Sequence, residues 1–481
     1  MTARKSHRNA VVIRMILAFF SLYLATLLLL VGSGLFNTYV GVYLTSLSVS
    51  EIWVGALMAV YYLGLVLGAR TGHKLIIKVG HIRAYAASAA VVTVTVLLQV
   101  LISELWVWLL FRFVAGMAMV TMLMVLESWL NEQTENHQRG KVFAFYMVFS
   151  GLGTVLGQLT LPLFGQMEYE PLVFVGICSA LCLIPIALTG RLHPALQVPA
   201  PLNVRYYLNR VPVSLTVLFI AGMITGAFYG LAPVFIVRQE VSSEQVALFL
   251  ASAVAAGLVS QWPMGWLADR VNRADMIRIN AVILTLLAIP LWGWWSAPFW
   301  ALIALACMLG VLQFTLYPLG AAFANDNVDP DRRVGLSAIL LMVYGLGACI
   351  GPLLAGMLMQ QFNPNALYIF TSLCAGVLAV FVRTQHISGD HLSQDAPTSF
   401  VPMPDTLQSS PIASVLDPRV DMEHDVSHEP VPEELLAPDG DAGSQEPEEH
   451  PPAGEGEDPS AGNQQQDGAD GKDDAQRVHP G

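Results

Sequence analysis

Twelve long apolar segments constrain the fold of this chain more than any other feature of its sequence. A transmembrane helix needs about 20 predominantly apolar residues to cross a hydrocarbon core about 30 Å thick. Such segments are predicted at 13–44, 52–77, 82–102, 104–130, 140–165, 171–190, 213–237, 244–267, 276–296, 298–322, 334–359 and 365–383. The sequence therefore predicts an all-α integral membrane protein, and we number these segments helix 1 to helix 12.

Composition supports a lipid environment and argues against several classes of function. Apolar residues make up 54% of the chain and charged residues 12%, whereas soluble domains average about 25% charged residues. The sequence contains no nucleotide-binding loop, no metal-ligand cluster and no spacing typical of a catalytic triad. We therefore expect neither an enzyme nor a cofactor, a metal ion or a nucleic-acid partner.

Lysine and arginine are distributed unevenly between the two sides of the predicted membrane region. Positively charged residues are enriched in the cytoplasmic loops of membrane proteins. If the N-terminus is cytoplasmic, 19 of the 21 Lys and Arg residues before residue 385 lie at the inner side. The outer loops then hold only Arg238, and Arg112 lies within helix 4. The distribution therefore predicts that both termini are cytoplasmic.

The first and second sets of six helices repeat each other. A shift of 194 residues places the glycines of helix 5 on those of helix 11 and also matches inner-loop positions. The matched pairs are Gly151 and Gly345, Gly153 and Gly347, Gly157 and Gly351, Arg139 and Arg333, and Asn131-Glu132 and Asn325-Asp326. Such a repeat is typical of transporters built from two related units. We expect two pseudo-symmetric six-helix bundles at 13–190 and 213–384, a cytoplasmic N-terminus at 1–12 and a cytoplasmic linker at 191–212.

Residues 385–481 differ from the rest of the chain in composition and in charge. They carry a net charge of −19, whereas the first 384 residues carry +7. A segment so acidic and so poor in apolar residues cannot bury a core, and we predict a disordered cytoplasmic tail. Two interpretations remain open: a solvated extension without a specific role, or a docking or regulatory segment that binds another protein. For the membrane body itself we expect a monomer.

A motif at the cytoplasmic end of helix 8 carries a family resemblance. The stretch Gly265-Trp266-Leu267-Ala268-Asp269-Arg270-Val271-Asn272-Arg273 resembles the G-x-L-a-D-R-x-G-R signature of the major facilitator superfamily. The number of helices, their orientation, the internal repeat and the short loops fit the same family over about residues 10–384. The resemblance implies a carrier whose two bundles expose a central site to each side of the membrane in turn.

In that family the motif latches the inner gate, which implies gate roles for Gly265, Asp269, Arg270 and Arg273. Pseudo-symmetry places helix 8 against helix 5, so we expect Asp269 near Arg139, where the partial charge of the helix start favours an acid. The alternative is that these are ordinary positive-inside residues.

The stretch at residues 72–80, at the inner end of helix 2, is the first-half counterpart of the motif, and it lacks the acid. We therefore expect an asymmetric latch. In its place, the seam between helix 2 and helix 11 should depend on glycine packing at Gly345, Gly347 and Gly351.

Two charged residues within helix 4 are candidates for proton coupling. Arg112-Phe113-Val114-Ala115-Gly116 resembles a family motif, R-x-x-x-G, that is linked to proton coupling in drug antiporters. A buried arginine is costly, so Arg112 should face a cavity or a partner, or else snorkel towards the outer interface. Glu127-Ser128-Trp129, followed by Arg139-Gly140, resembles the YcaD-type branch of the family, which implies a bacterial inner membrane. Glu127 could carry a proton if it is buried; alternatively it is an interfacial acid paired with Arg139.

Uncharged polar and aromatic residues within the helices are candidates for a substrate cavity. They are Asn37, Tyr62, Gln158, Gln261, Gln313 and Tyr317. The methionines of helix 4 either add an adaptable apolar wall or only fill the packing. This mixture favours a neutral or amphipathic organic solute over a polyvalent anion, which would need more than one buried cation.

The sequence therefore indicates a secondary transporter of a small organic solute that works by alternating access. Proton coupling through Glu127 or Arg112 is a further hypothesis. The alternative function is a non-transporting membrane sensor or scaffold that signals through its acidic tail.

Overall fold

The computed structural model describes residues 19–134, 138–165, 168–188, 204–329 and 332–382, together with residues 398, 400, 401 and 410. Within these residues, all regular secondary structure is helical. The predicted cytoplasmic N-terminus, most of the linker and most of the acidic tail lie outside them, so the disorder predicted for the tail stays a prediction.

Six transmembrane helices form the N-terminal half. They are helix 1 (Phe20–Ser46), helix 2 (Glu51–Val79), helix 3 (His81–Leu101), helix 4 (Leu105–Glu132), helix 5 (Arg139–Leu159) and helix 6 (Glu170–Leu181). A short 3-10 turn at Leu161–Leu163 follows helix 5, and helix 6 resumes after Cys182 as Leu183–Ala187.

Six further helices form the C-terminal half. They are helix 7 (Pro212–Val237), helix 8 (Ser243–Ala268), helix 9 (Arg273–Ala288), helix 10 (Phe299–Asp326), helix 11 (Arg333–Gln361) and helix 12 (Ala366–Phe381). A 3-10 turn at Ile289–Trp292 follows helix 9. Within the described residues, eleven helices are long and apolar enough to cross a membrane, and helix 12 adds a shorter apolar helix. The predicted twelve-helix fold is confirmed.

Local signals in the sequence fix how helices 8 and 9 begin. Ser242 and Gln245 form a capping box, in which each side chain accepts from the other residue's backbone N–H. Asn272 caps helix 9, because its side-chain oxygen accepts from the N–H groups of Ala274 and Asp275. Asn272, which follows Val271 in the gate motif (residues 265–273), therefore also sets the first turn of helix 9.

A short helix in the linker, Val204–Arg210, was not predicted from the sequence. The Tyr207 hydroxyl donates to the Arg332 carbonyl at 2.9 Å, and Arg210 Nε donates to the Asn327 carbonyl at 2.9 Å. These bonds attach the linker helix to the ends of helices 10 and 11 that are predicted to face the cytoplasm.

The glycines of helix 5 and helix 11 make equivalent contacts in the two halves. A Cβ at Gly157 would lie 2.2 Å from a backbone oxygen of helix 1, and one at Gly347 or Gly351 would lie 2.1 Å from a backbone oxygen of helix 7. Gly151 and Gly345 instead face the opposite half, towards side chains of helix 8 and helix 2 respectively. The sequence repeat is therefore also a repeat of packing.

This arrangement corrects the prediction for the seam between helix 2 and helix 11. Gly345 faces helix 2, but Gly347 and Gly351 pack against helix 7 within their own half. Residues two apart on a helix point about 200° apart, whereas residues four apart share a face. The close backbone approach in the seam is instead made by Gly55, whose Cβ would lie 2.3 Å from the Pro352 oxygen, and by Gly356 against Glu51.

The two halves also touch at the helix ends that are predicted to face outward. A Cβ at Gly41 of helix 1 would lie 2.7 Å from the Pro233 side chain of helix 7. Arg238, after helix 7, lies 3.5 Å from the Glu51 carboxylate at the start of helix 2. Together with the contacts of Gly55 and Gly356, these contacts close that end of the molecule.

Candidate functional site

Arg112 is buried between helices 1, 2 and 4 of the N-terminal half. The residue is 1% exposed, so it does not snorkel towards the interface. Its Nη2 donates to Asn37 Oδ1 at 3.1 Å and lies 2.9 Å from Met58 Sδ. The rings of Phe36 and Tyr61 lie with their centroids 4.6 Å and 4.4 Å from its Cζ. The structure therefore brings together Arg112 and one predicted cavity residue, Asn37.

Two further predicted cavity residues lie in the N-terminal half. Tyr62 is buried and packs against the Tyr61 ring, with the centroids 5.6 Å apart. Gln158 is the penultimate residue of helix 5, and it is buried near the end that is predicted to face outward. Tyr62 therefore adjoins the arginine cluster, whereas Gln158 lies at the end of its helix.

The three predicted cavity residues of the C-terminal half are buried further inward. Gln313 lies near the middle of helix 10. Gln261, about two turns before the end of helix 8, donates to the Phe314 carbonyl at 3.5 Å. Tyr317 packs edge-on against Tyr344, with the ring centroids 5.0 Å apart. The six predicted residues therefore occupy several depths rather than one cluster.

Glu127 is fully buried near the predicted cytoplasmic end of helix 4. Its carboxylate accepts from the Tyr146 hydroxyl at 2.8 Å and from the Ser410 N–H at 3.1 Å, and the Ser410 hydroxyl also donates to it. Buried charged groups need such partners because desolvation is costly. The arrangement holds an acid inside the packed helices.

The gate motif forms an ion-pair network at the predicted cytoplasmic end of the C-terminal half. Arg273 Nη1 lies 2.6 Å from Asp326 Oδ1, and the two side chains are only 4% and 9% exposed. Asp269 is 41% exposed and lies 3.4 Å from Arg273 Nη2. Arg270 is exposed and stacks over the Trp266 ring at 4.1 Å. Arg273 is therefore the buried basic residue of the motif.

Gly265 and Arg139 complete the predicted gate residues. A Cβ at Gly265 would lie 2.4 Å from the Phe400 ring, so this glycine accommodates an aromatic side chain. Arg139 is buried as the first residue of helix 5. The predicted approach of Asp269 to that helix start stays a prediction.

Described residues of the predicted tail contact both halves at this end. Thr398 donates to Asp326 through its N–H at 2.8 Å and through its hydroxyl at 2.9 Å. The Phe400 N–H donates to Asp269 at 2.8 Å. Ser410 bonds to Glu127 of the N-terminal half, as described above. These described tail residues are therefore packed against the transmembrane helices of both halves.

The sequence patterns did not identify several of the residues in these contacts. The aligned pair Asn325-Asp326 was a signal for Asp326, because it sits at a repeated position, but it did not identify Arg273 as the partner. Phe36, Met58 and Tyr61 carry no signal that separates them from ordinary core residues. No group of three or more His, Cys, Asp or Glu side chains that could hold a metal ion occurs within the part of the chain that the structure describes.

Sequence comparisons place this arrangement among known proteins. The family model of the Major Facilitator Superfamily matches residues 22–293 and 217–416. An uncharacterized MFS-type transporter of Enterobacter sp. (strain 638) is 30% identical over 371 residues, covering 76% of this chain and 94% of that protein. The uncharacterized MFS-type transporter YcaD of Salmonella newport (strain SL254) is 29% identical over 351 residues, covering 71% and 89%.

Solved structures share the fold at low sequence identity. The nucleoside transporter NupG superposes with a TM-score of 0.64 at 14% identity, over 76% of this chain and 98% of that one. A bacterial homolog to the human lysosomal transporter Spinster, in an inward-facing and unoccupied conformation, gives 0.61 at 16% identity, over 76% and 94%. With two related six-helix halves, the gate motif and these matches, the chain belongs to the major facilitator superfamily of multi-pass membrane transporters.

Proposed function

We propose that this protein is a secondary active transporter that moves a small organic solute by alternating access in a bacterial inner membrane. The observation that carries the proposal is a set of buried polar atoms within the helices that have no hydrogen-bond partner among the described residues. They include Arg112 Nε, Gln158 Oε1 and Gln313 Nε2. Unsatisfied buried groups cost about 1–3 kcal/mol each, so a passing solute that bonds to them would recover part of that cost.

The contacts between the halves support the alternating-access mechanism. Close approaches at Gly41, Gly55 and Gly356 close the end that we propose is outward. A carrier in this state would open to the cytoplasm, and rocking of the rigid halves would reverse the access.

A transport assay distinguishes this function from that of a sensor or scaffold. A thermal-shift screen of the purified chain against metabolites and drugs would first supply a ligand. Counterflow of that ligand in proteoliposomes is then expected, because a carrier exchanges solute across the membrane whereas a sensor only binds it. Saturable binding without counterflow would favour the sensor.

Orientation is tested by cysteine labelling in sealed cells. Cysteines introduced at the exposed loop residues Ser103 and Ser296 should react with an impermeant maleimide from outside, and one at Ser388 should not. The described native cysteines are buried or half-buried, so a cysteine-free background is the matched control. Labelling of Ser388 in intact cells would show that the proposed cytoplasmic location of the C-terminus is wrong.

Glu127 is the proposed site of proton coupling. Glu127→Gln keeps the volume and can still accept from the Tyr146 hydroxyl, but it cannot exchange a proton. We expect it to abolish accumulation driven by a proton gradient while counterflow continues, because exchange needs no net proton movement. Glu132→Gln, five residues further along helix 4 and exposed, is the matched control. Normal gradient-driven accumulation in Glu127→Gln would exclude this role.

A further inference from the structure

We propose that Arg112 binds the carboxylate of a singly charged organic solute through its Nε–Nη2 edge, beside the seam between the two halves. This inference names the substrate class of the proposed transporter and therefore rests on that function. It narrows the expectation of a neutral or amphipathic solute to an amphipathic monocarboxylate.

The first step is the charge balance around Arg112. The described side chains with a hydrogen bond or a ring contact to the guanidinium are those of Asn37, Met58, Phe36 and Tyr61, and all four are neutral. No carboxylate of the described residues forms an ion pair with Arg112, although the residue is 1% exposed. A buried charge without a counter-ion is costly, and within a membrane such a residue marks a functional site. The missing negative charge is supplied by the solute.

The second step is the direction from which an anion can bind. The Phe36 and Tyr61 rings lie close to the guanidinium, at positions that favour a cation over an aromatic face. Nε and Nη2 lie on one edge of the guanidinium, and Nε is buried without a hydrogen-bond partner in the part of the chain that the structure describes. Arginine binds carboxylates through two parallel N–H···O bonds along such an edge.

Met58 marks the position of the second carboxylate oxygen. Its sulfur lies 2.9 Å from Nη2, but a thioether is a weak acceptor on a flexible side chain. A carboxylate oxygen is a far stronger acceptor, so it displaces the sulfur, and the other oxygen accepts from Nε. Met58 also borders the opposite half, because a Cβ at Gly230 of helix 7 would lie 2.9 Å from its Cγ. Movement of Met58 therefore links anion binding to the seam.

The third step is the size and charge of the solute. One buried cation balances one negative charge, and a dianion would bring a second charge without a partner. The neighbouring rings and the thioether offer apolar contact to the rest of the molecule. These properties define a monocarboxylate with an apolar or aromatic body.

The test compares carboxylates with their neutral amides on the purified full chain. Thermal shifts are measured with hexanoate, benzoate, phenylacetate and indole-3-acetate, with the four matching amides, and with phthalate as the dianion. We expect at least one monocarboxylate to stabilise the protein, and its amide and phthalate to be at least about tenfold weaker, since hydrogen bonds to charged groups are the strong ones. No stabilisation by any of the carboxylates, or equal stabilisation by an amide, would overturn the proposal.

Variants assign the effect to Arg112. Arg112→Gln and Arg112→Lys should each weaken binding of the carboxylate at least about tenfold, because lysine keeps the charge but lacks the two-donor edge. Arg278→Gln, on an exposed face of helix 9, is the control and should bind normally. If Arg112→Gln fails to fold, Arg112→Lys and the comparison of acid with amide on the unmodified chain still decide the question. Undiminished binding in Arg112→Lys would overturn the proposal.

A transport readout separates this inference from the proposed function. Counterflow of a neutral solute that is unchanged in Arg112→Gln would overturn the carboxylate site and leave the carrier function intact. Arg112-dependent binding of a monocarboxylate without counterflow would overturn transport and leave the site intact.

Discussion

Asp326→Ala is expected to lower the free energy of unfolding by about 3–5 kcal/mol, because it leaves the Arg273 guanidinium buried without its closest counter-ion. Both side chains of the pair are almost fully buried, so water cannot replace the lost carboxylate. Thermal unfolding of the purified chain, followed alongside the yield of monodisperse protein, measures the effect.

Asp269→Ala is the matched control, because Asp269 contacts the same arginine from an exposed position. Exposed ion pairs contribute about 0–1 kcal/mol to stability, so the free energy of unfolding of this variant should be close to that of the unmodified protein. The double variant Arg273→Met with Asp326→Leu should recover most of the loss, since it removes both buried charges. Equal destabilisation by Asp269→Ala and Asp326→Ala would show that the buried ion pair contributes no more to stability than the exposed one.

Gly347→Val should prevent helix 11 from packing against helix 7 and reduce the yield of folded protein severely. Even a Cβ at this position would lie 2.1 Å from the Phe219 carbonyl oxygen, and backbone atoms cannot rotate away as a side chain can. Overpacking a core typically costs about 1–3 kcal/mol, and a contact with backbone falls at the upper end of that range. Gly157→Val, at the helix 5 position that matches Gly351 in the repeat, should behave in the same way, because its Cβ would lie 2.2 Å from a backbone oxygen of helix 1.

Two alanine variants test whether the loss of folded protein depends on close contact with a backbone. Gly376→Ala in helix 12 meets its nearest neighbour at 3.9 Å and should fold normally. Gly345→Ala meets only the Val66 side chain of the opposite half, so it should fold but hinder closure between the halves. Size-exclusion profiles of the solubilised variants measure folding. Normal profiles for Gly347→Val and Gly157→Val would contradict the packing described here.

The sequence predicted the helices and the repeat because both depend on local and regular patterns. A membrane-crossing helix needs a minimum apolar length, and this length is visible without knowledge of the partners. The glycines that match at a shift of 194 residues likewise predicted a symmetry between the halves, and Gly157 and Gly351 make equivalent contacts in the structure. The 3-10 turns after helices 5 and 9 and the linker helix Val204–Arg210 were missed.

The site was predicted less well, because its contacts join residues far apart in the chain. Spacing gives the angle between Gly345 and Gly347, but not the direction in which either points, so Gly347 and Gly351 were wrongly assigned to the seam. Asp326 and Arg273 are 53 residues apart, and no local pattern pairs them. Arg112 was recognised as a costly buried charge, but the neutrality of its neighbours became visible only in the fold.

The close backbone contacts at the glycines of helices 5 and 11 join the helices of each half tightly, so that each half can tilt as one rigid body. Helix 11 contains 29 residues, and at 1.5 Å per residue it is about 43 Å long. If each half tilts as one body about its closed end, a rotation of about 10° displaces the far end by about 7 Å, from this length alone. Displacements smaller than one side chain at Met58 and Val66 would then be amplified into an opening as wide as a small organic solute.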